Sequence, residues 1–191
     1  MIRLSPPHPR FHASYLAVLD EFGTAVRDGD GVLETPADAT YPGHHFTREG
    51  LEDSGEFQRL VDLRVADERE ETARPEGFVP CTFLWVEDTE RPDVQLGSIA
   101  LRHRLTPFLE NWGGHIGYSV RPRERRQGIA TEALRLILPV AAERGLDRVL
   151  VTCDDDNIGS ARTIEANGGV LEDKRTDPDG HVKRRYWVPT T

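Results

Sequence analysis

Long hydrophobic runs are the first thing missing from this sequence. No apolar stretch approaches the length of about 20 residues that a membrane-crossing helix needs. The first ten residues, M-I-R-L-S-P-P-H-P-R, hold no apolar signal core, so the expected location is cytoplasmic. Cysteine is scarce. Cys81 and Cys153 are the only two, and both sit in apolar runs. That usage excludes a disulfide framework and lacks zinc-ligand spacing; it reads as two buried thiols in a reducing compartment. Positive net charge is also absent. The 33 acidic residues outweigh the 24 basic ones and leave a formal charge of −9. A phosphate backbone demands a basic face, so nucleic acid is not the expected partner. The same balance is compatible with a cationic or amine substrate. What is present suits an ordinary soluble protein. The 191 residues, 37% of them hydrophobic, can bury a core of useful size, and residues 1–191 read as one domain without repeat or linker.

Pro6 and Pro7 block a helix, so residues 1–8 read as an extended lead-in. The spacing of Phe11, Tyr15, Leu16, Leu19, Phe22 and Val26 predicts a first helix. Residues 28–50 are rich in Gly, Asp, Pro and Thr and predict a long irregular connection, of the kind that borders a substrate cleft. A second helix is predicted over 54–71, with Phe57, Leu60, Val61, Leu63 and Val65 apolar and Arg64, Glu68 and Arg69 on its wet side. Strands are predicted at 81–86, 94–105 and 115–120, with a polar turn at 87–93, an aromatic-rich loop at 106–114 and a close approach or a bulge at Gly97. A helix over 128–145 carries the stripe Ala130, Ala133, Leu134, Ile137, Leu138 and Ala141; Pro139 is expected to kink it and Gly145 to cap it. A strand at 148–153, a helix at 158–166 and a hairpin around Asp177-Pro178-Asp179-Gly180 complete the chain. This order describes a mixed α/β protein built on one central sheet.

Within this acidic chain, residues 120–131 read V-R-P-R-E-R-R-Q-G-I-A-T. Arg121, Arg123, Arg125 and Arg126 precede a glycine where a helix begins. Local positive charge, a turn ending in Gly and a fresh helix N-terminus make an anion site. The Walker pattern and the dinucleotide fingerprint are both absent.

What stands here instead is Arg125-Arg126-Gln127-Gly128-Ile129-Ala130, which resembles the [R/Q]-x-x-G-x-[G/A] acetyl-CoA motif of the GNAT superfamily of N-acetyltransferases. Two further features match: Asn157-Ile158-Gly159-Ser160-Ala161 opens the next helix, and Asn167-Gly168-Gly169 ends it. The element order from residue 9 to 188 matches that fold, and the ending R-R-Y-W is like that of an uncharacterised predicted-acetyltransferase branch. The resemblance implies an α/β (α+β mixed) fold with a central, mostly antiparallel sheet of six to seven strands and about four flanking helices. It implies acetyl-CoA as co-substrate. The backbone around Arg126, Gln127, Gly128, Ile129 and Ala130 would cradle the pyrophosphate, with charge from Arg125 and Arg126 and a hydroxyl from Thr131. Tyr118, Ser119 and Val120 would pair with the pantetheine arm, Val120 N–H would stabilise the oxyanion, and Asn157 would hold pantetheine from the neighbouring strand end.

The implied activity is acetyl transfer to a primary amine of a small-molecule or peptide acceptor, by direct attack in a ternary complex. One departure bears on the proton chemistry. The tyrosine that protonates the leaving thiolate in many relatives is here Ile164. Tyr118 and Cys153 are the replacement candidates for that acid. Thr152 stands where some relatives carry a glutamate, so Glu110 and His115 are the candidate bases. An alternative is a non-catalytic acyl-CoA-binding sensor or scaffold. The bland readings are a core thiol for Cys153, an ordinary strand histidine for His115, and helix-capping carboxylates for Asp154, Asp155 and Asp156. No metal is expected, because His44-His45 has no partner spacing. Fold-level analogy allows a homodimer.

Overall fold

In the computed structural model, residues 1–177 and 179–191 are described; Pro178, within the hairpin turn read from the sequence, lies outside them. The elements run β1 (Ile2–Ser5), α1 (His12–Phe22), β2 (Glu34–Thr35), β3 (His44–His45), α2 (Ser54–Ala66), β4 (Cys81–Asp88), β5 (Arg91–Arg102), β6 (Ile116–Val120), α3 (Ile129–Glu143), β7 (Arg148–Asp154), α4 (Ile158–Ala166), β8 (Val170–Thr176) and β9 (Val182–Pro189). Seven strands form one sheet in the order β1-β4-β5-β6-β7-β9-β8, and β2 and β3 form a separate small hairpin. Every pairing in the sheet is antiparallel except β6 with β7.

The period-two alternation of the strands sends their side chains to two cores, one on each face of the sheet. On one face, Ile99 and Leu101 of β5, Ile116 of β6 and Val149, Val151 and Cys153 of β7 pack under Ala133, Leu134, Ile137 and Ala141 of α3 and Ile164 of α4. On the other, Trp85 of β4 packs with Phe11, Tyr15, Leu19, Phe57 and Leu60 beneath α1 and α2. Phe11, Tyr15 and Phe57 surround the indole at ring-centroid distances of 5.4, 5.2 and 6.0 Å. α3 ends as its glycine predicts. Gly145 adopts φ +80°, its N–H bonds Ala142 O and Leu146 N–H bonds Ala141 O, which is a Schellman closure. The helix assignment runs unbroken through Pro139. Pro139 and Arg135 both face solvent, so the carbonyl that lost its donor can turn to water.

The extended lead-in holds, and the structure adds that it pairs with β4 as an edge strand, β1. Several expectations need correction. Val26 is 81% exposed because α1 stops at Phe22. α2 stops at Ala66, and Arg64 is buried, not wet. Its guanidinium donates to Val32 O at 2.7 Å and lies 4.9 Å from the Phe83 ring, which offsets part of the cost of a buried charge, while Nε has no hydrogen-bond partner among the described residues. The loop 106–114 contains a π-type turn, Leu109–Gly113. Asp154 and Asp155 are not caps of α4; they pair with Lys183, Lys174 and Arg184. The cap of α4 is Asn157, whose side chain accepts from Ser160 N–H.

Candidate active site

β6 and β7 share a single register pair, Ile116↔Val151. Gly114 and His115 bring them together: His115 N–H donates to Leu150 O at 2.7 Å, and a Cβ on Gly114 would stand 2.6 Å from that same oxygen. Beyond this point each strand keeps its other neighbour. β6 stays paired with β5 as far as Gly97↔Val120, and β7 stays with β9 as far as Asp154↔Lys183. The sheet therefore splits between β6 and β7. In an antiparallel ladder alternate residues turn their backbone groups to the same neighbour. Arg102 N–H bonds His115 O and Arg121 N–H bonds Leu96 O, so Gly117 and Ser119 face β5. The backbone groups of Tyr118 and Val120 then face the split. Val120 O accepts from Arg125 Nε at 3.1 Å; Val120 N–H points to the gap. Gly97 makes the β5 side possible, since a Cβ there would lie 2.3 Å from Ser119 O.

At the end where the split widens, β6 runs through a 3-10 turn (Pro122–Glu124) into α3. Gly128 is the N-cap with φ +76°, and it has no side chain to cap the helix. Arg126 also has positive φ, +65°. The N–H groups of the first turn thus stay available, and nothing lies within 4 Å of the missing Cβ of Gly128. This is open space in front of a positive helix end, suited to an anion. The four arginines have separate fates. Arg121 is buried and bonded to Glu21 of α1 through Nη2 at 2.7 Å. Arg123 pairs with the same carboxylate at 3.3 Å. Arg125 sits over the Phe22 ring and reaches Val120 O. Among the described residues, only Arg126 of the four lacks an ion-pair or hydrogen-bond partner.

The second wall is α4. Asn157 Oδ1 accepts Ser160 N–H at 3.0 Å, which leaves its amide NH2 free. Ser160 Oγ lies 2.7 Å from Tyr118 Oη, so β6 and α4 are joined across the mouth of the split. Burial pushes the Tyr118 phenol well above its ordinary range, and the neighbouring Cys153 and Asp28 push it further, against the Ser160 and Thr163 hydrogen bonds. The phenol stays protonated and can donate. Ile164 is fully buried under the sheet, so no polar group occupies the position of the missing tyrosine. Cys153 is a core thiol, raised by burial despite Ser160.

The two candidate bases are not brought to the split as bases. His115 is buried, and its Nδ1 accepts Leu150 N–H at 2.9 Å. Burial, with the charge of Arg102, lowers its pKa to about 4. The neutral ring then carries its proton on Nε2 and has no lone pair to offer. Glu110 is exposed on the π-type turn, where its carbonyl accepts from Arg185 Nε. Thr152 Oγ1 is spent on Trp112 O at 2.8 Å.

The face of the sheet opposite α3 carries a carboxylate pair that sequence reasoning missed. Asp30 is buried and accepts from Tyr15 Oη at 2.9 Å, Ser98 Oγ at 3.0 Å, Trp85 Nε1 at 3.3 Å and the Arg27 guanidinium. That hub seats the segment Arg27-Asp28-Gly29-Asp30-Gly31 on the sheet. A Cβ at Gly29 would meet Gly117 O at 2.4 Å and Tyr118 Cα at 2.9 Å. The only advance signal was the D-G-D-G string, which says turn and nothing about the strand it covers. Nearby, the β2–β3 hairpin and α2 enclose a cleft lined by Gly31, Tyr41, His44, Arg64, Asp67 and Phe78. Asp177, Asp179 and His181 form a further, partly exposed ligand-type cluster, but Asp177 already accepts two turn N–H bonds.

The family model described as an acetyltransferase (GNAT) domain matches residues 33–170. The chain is 29% identical over 83 residues to the uncharacterized N-acetyltransferase YjdG of Bacillus subtilis (strain 168); the match spans 43% of this chain and about half, 46%, of that relative. Among solved structures it is similar to the microcin C7 self-immunity acetyltransferase MccE, in complex with acetyl-CoA and AMP, at TM-score 0.63 and 13% identity over 98% of this chain and 92% of that one. It is similar to the ribosomal L7/L12 alpha-N-protein acetyltransferase RimL in complex with coenzyme A, at TM-score 0.63 and 14% identity over 98% and 93%. The ribosomal-protein-S5-alanine acetyltransferase of Vibrio fischeri is similar at TM-score 0.61 and 16% identity over 99% and 92%. At these identities the structures establish the shared fold alone.

Proposed function

Because the chain belongs to the acetyltransferase (GNAT) domain family, we propose that it is an acetyl-CoA-dependent N-acetyltransferase acting on a primary amine by direct attack in a ternary complex. The observation that carries this reading is the split between β6 and β7, which opens onto the uncapped N-terminus of α3. An extended arm with phosphates at one end fits both parts at once. In this reading the N–H groups of residues 128–131 and the free Arg126 hold pyrophosphate. The outward backbone of Tyr118 and Val120 receives the pantetheine arm as an added strand, and the Asn157 amide holds it from the α4 side.

The amine nitrogen attacks the thioester carbon. A C–N bond forms, the C–S bond breaks, and the nitrogen gives up one proton to a base or to solvent. Val120 N–H donates to the developing oxyanion, and Tyr118 protonates the departing thiolate. The proton on Tyr118 is then restored through Ser160 and solvent. Two relatives of the fold are named for acetylating ribosomal proteins, which favours a peptide or protein amine as acceptor. The test is release of free CoA thiol from acetyl-CoA across a panel of small amines and peptides with free N-termini. Turnover with at least one acceptor is expected. Tight acetyl-CoA binding with no turnover on any amine would replace this reading with a non-catalytic acyl-CoA sensor.

A further inference from the structure

We infer that Asp28 is the general base of the transfer, receiving the acceptor's proton on the face of β6 opposite α3. The inference rests on the acetyl-transfer reading above and supplies the group that neither Glu110 nor His115 provides.

The geometry comes from two glycines. A Cβ built on Gly117 would meet Gly29 N at 3.2 Å and Asp28 Cβ at 3.7 Å. Asp28 therefore stands directly over β6 at the residue before Tyr118, beside the split. The two glycines let backbone lie on backbone there. Gly29 has φ +81°, so only glycine adopts that turn without strain. The Asp30 hub fixes this placement from below, with donors from α1, β4 and β5. The segment is thus a seated carboxylate carrier and not a free loop.

The charge environment suits the role. Among the described residues, Asp28 makes no ion pair and no side-chain hydrogen bond, whereas Asp30 and Asp154 are both paired. Its side chain still reaches solvent. The groups around it are Arg102 of β5, Lys183 of β9, Asp154 of β7 and the Tyr118 phenol of β6. Asp28 is exposed at the surface, so only part of its hydration is lost; that partial loss raises its pKa in direction, Arg102 and Lys183 oppose it, and Asp154 adds to it. A more basic carboxylate is a better proton acceptor. The two proton carriers then sit on opposite faces of one strand: Asp28 over Gly117 takes the proton from the attacking nitrogen, and Tyr118, turned to α4, gives one to sulfur. Nitrogen loses one proton and sulfur gains one, with no further reactant needed.

The test is Asp28→Asn, with Asp28→Glu beside it, assayed on the best acceptor of the amine panel. Asp28→Asn is expected to lower kcat/KM by about 100-fold or more, with the acetyl-CoA Kd within about twofold of wild type and unchanged Tm. Asp28→Glu is expected to keep part of the activity. Below the carboxyl pKa, log kcat/KM of the wild type should rise with slope two in pH, one proton from the amine and one from the base. The Asn variant should show slope one. A variant as active as wild type with the same slopes overturns the assignment while leaving the acetyltransferase reading standing. A wild type that binds acetyl-CoA and acetylates nothing overturns both.

Discussion

Asp30 offers the sharpest test of how residues 27–31 are seated on the sheet. Replacing it with alanine removes the acceptor for Tyr15 Oη, Ser98 Oγ, Trp85 Nε1 and the Arg27 guanidinium in one step. Tyr15 and Trp85 are each 1% exposed, so neither can turn to water. Breaking a buried ion pair by removing one partner costs about 3–5 kcal/mol. Arg27 keeps some access to solvent, which argues for the lower end, about 3–4 kcal/mol. For a chain of this length each kcal/mol moves Tm by roughly 2–4 °C, so Asp30→Ala should melt roughly 10 °C below wild type. Asp30→Asn keeps the volume and one acceptor oxygen, and should lose about half as much. Urea unfolding followed by fluorescence, with calorimetric melting beside it, measures both variants. Asp30→Ala should also lower kcat/KM, since the Asp28 segment loses its seat, while the acetyl-CoA Kd holds. A melting point within about 3 °C of wild type would refute the hub, because that corresponds to about 1 kcal/mol.

Three further outcomes follow from the same geometry. Arg126→Ala should weaken acetyl-CoA binding about 5- to 10-fold, the worth of roughly 1 kcal/mol for an exposed charge, with the deficit shrinking at high salt; calorimetry at two ionic strengths reads it. Tyr118→Phe should lower kcat by about 10²-fold or more while leaving the acetyl-CoA Kd unchanged; because the phenol is raised, the wild-type rate should not fall through the ordinary tyrosine range as pH rises. Burial would raise Glu87, but hydrogen bonds from Ser5, Arg3 and Arg10 outweigh it and hold the carboxyl below its ordinary value. A depressed folded pKa means stability present above the unfolded pKa of about 4.3 and lost as pH falls below it. Glu87→Gln should therefore lower Tm at pH 7 and narrow its gap to wild type towards pH 3.

The helix ends beside the split were legible early, because their signals are local. Gly128 has to take a left-handed φ just before a helix, and the sequence places it there. The Asn157 cap sits within three residues of its partner Ser160. The face of the sheet opposite α3 was not legible, because its contacts are long-range. Asp30 reaches Ser98 across 68 positions and Trp85 across 55. Arg64 reads as a wet helix position until Val32 O and Phe83 come to meet it. His115 looks like a base until Leu150 N–H claims its lone pair. The run of four arginines reads as one phosphate patch, yet Glu21 of α1 takes two of them.

By itself the sequence determined the periods of the strands and helices, the glycine-ended turn before α3 and the cap of α4. Each depends on neighbours a few residues apart, where backbone sterics and helix-end hydrogen bonding decide the outcome. Only the tertiary structure decided where the sheet splits, which arginine is left free and which carboxylate stands over β6 at Gly117. Those depend on strands choosing partners and on buried charges finding counter-groups dozens of positions away, and no local pattern encodes that choice.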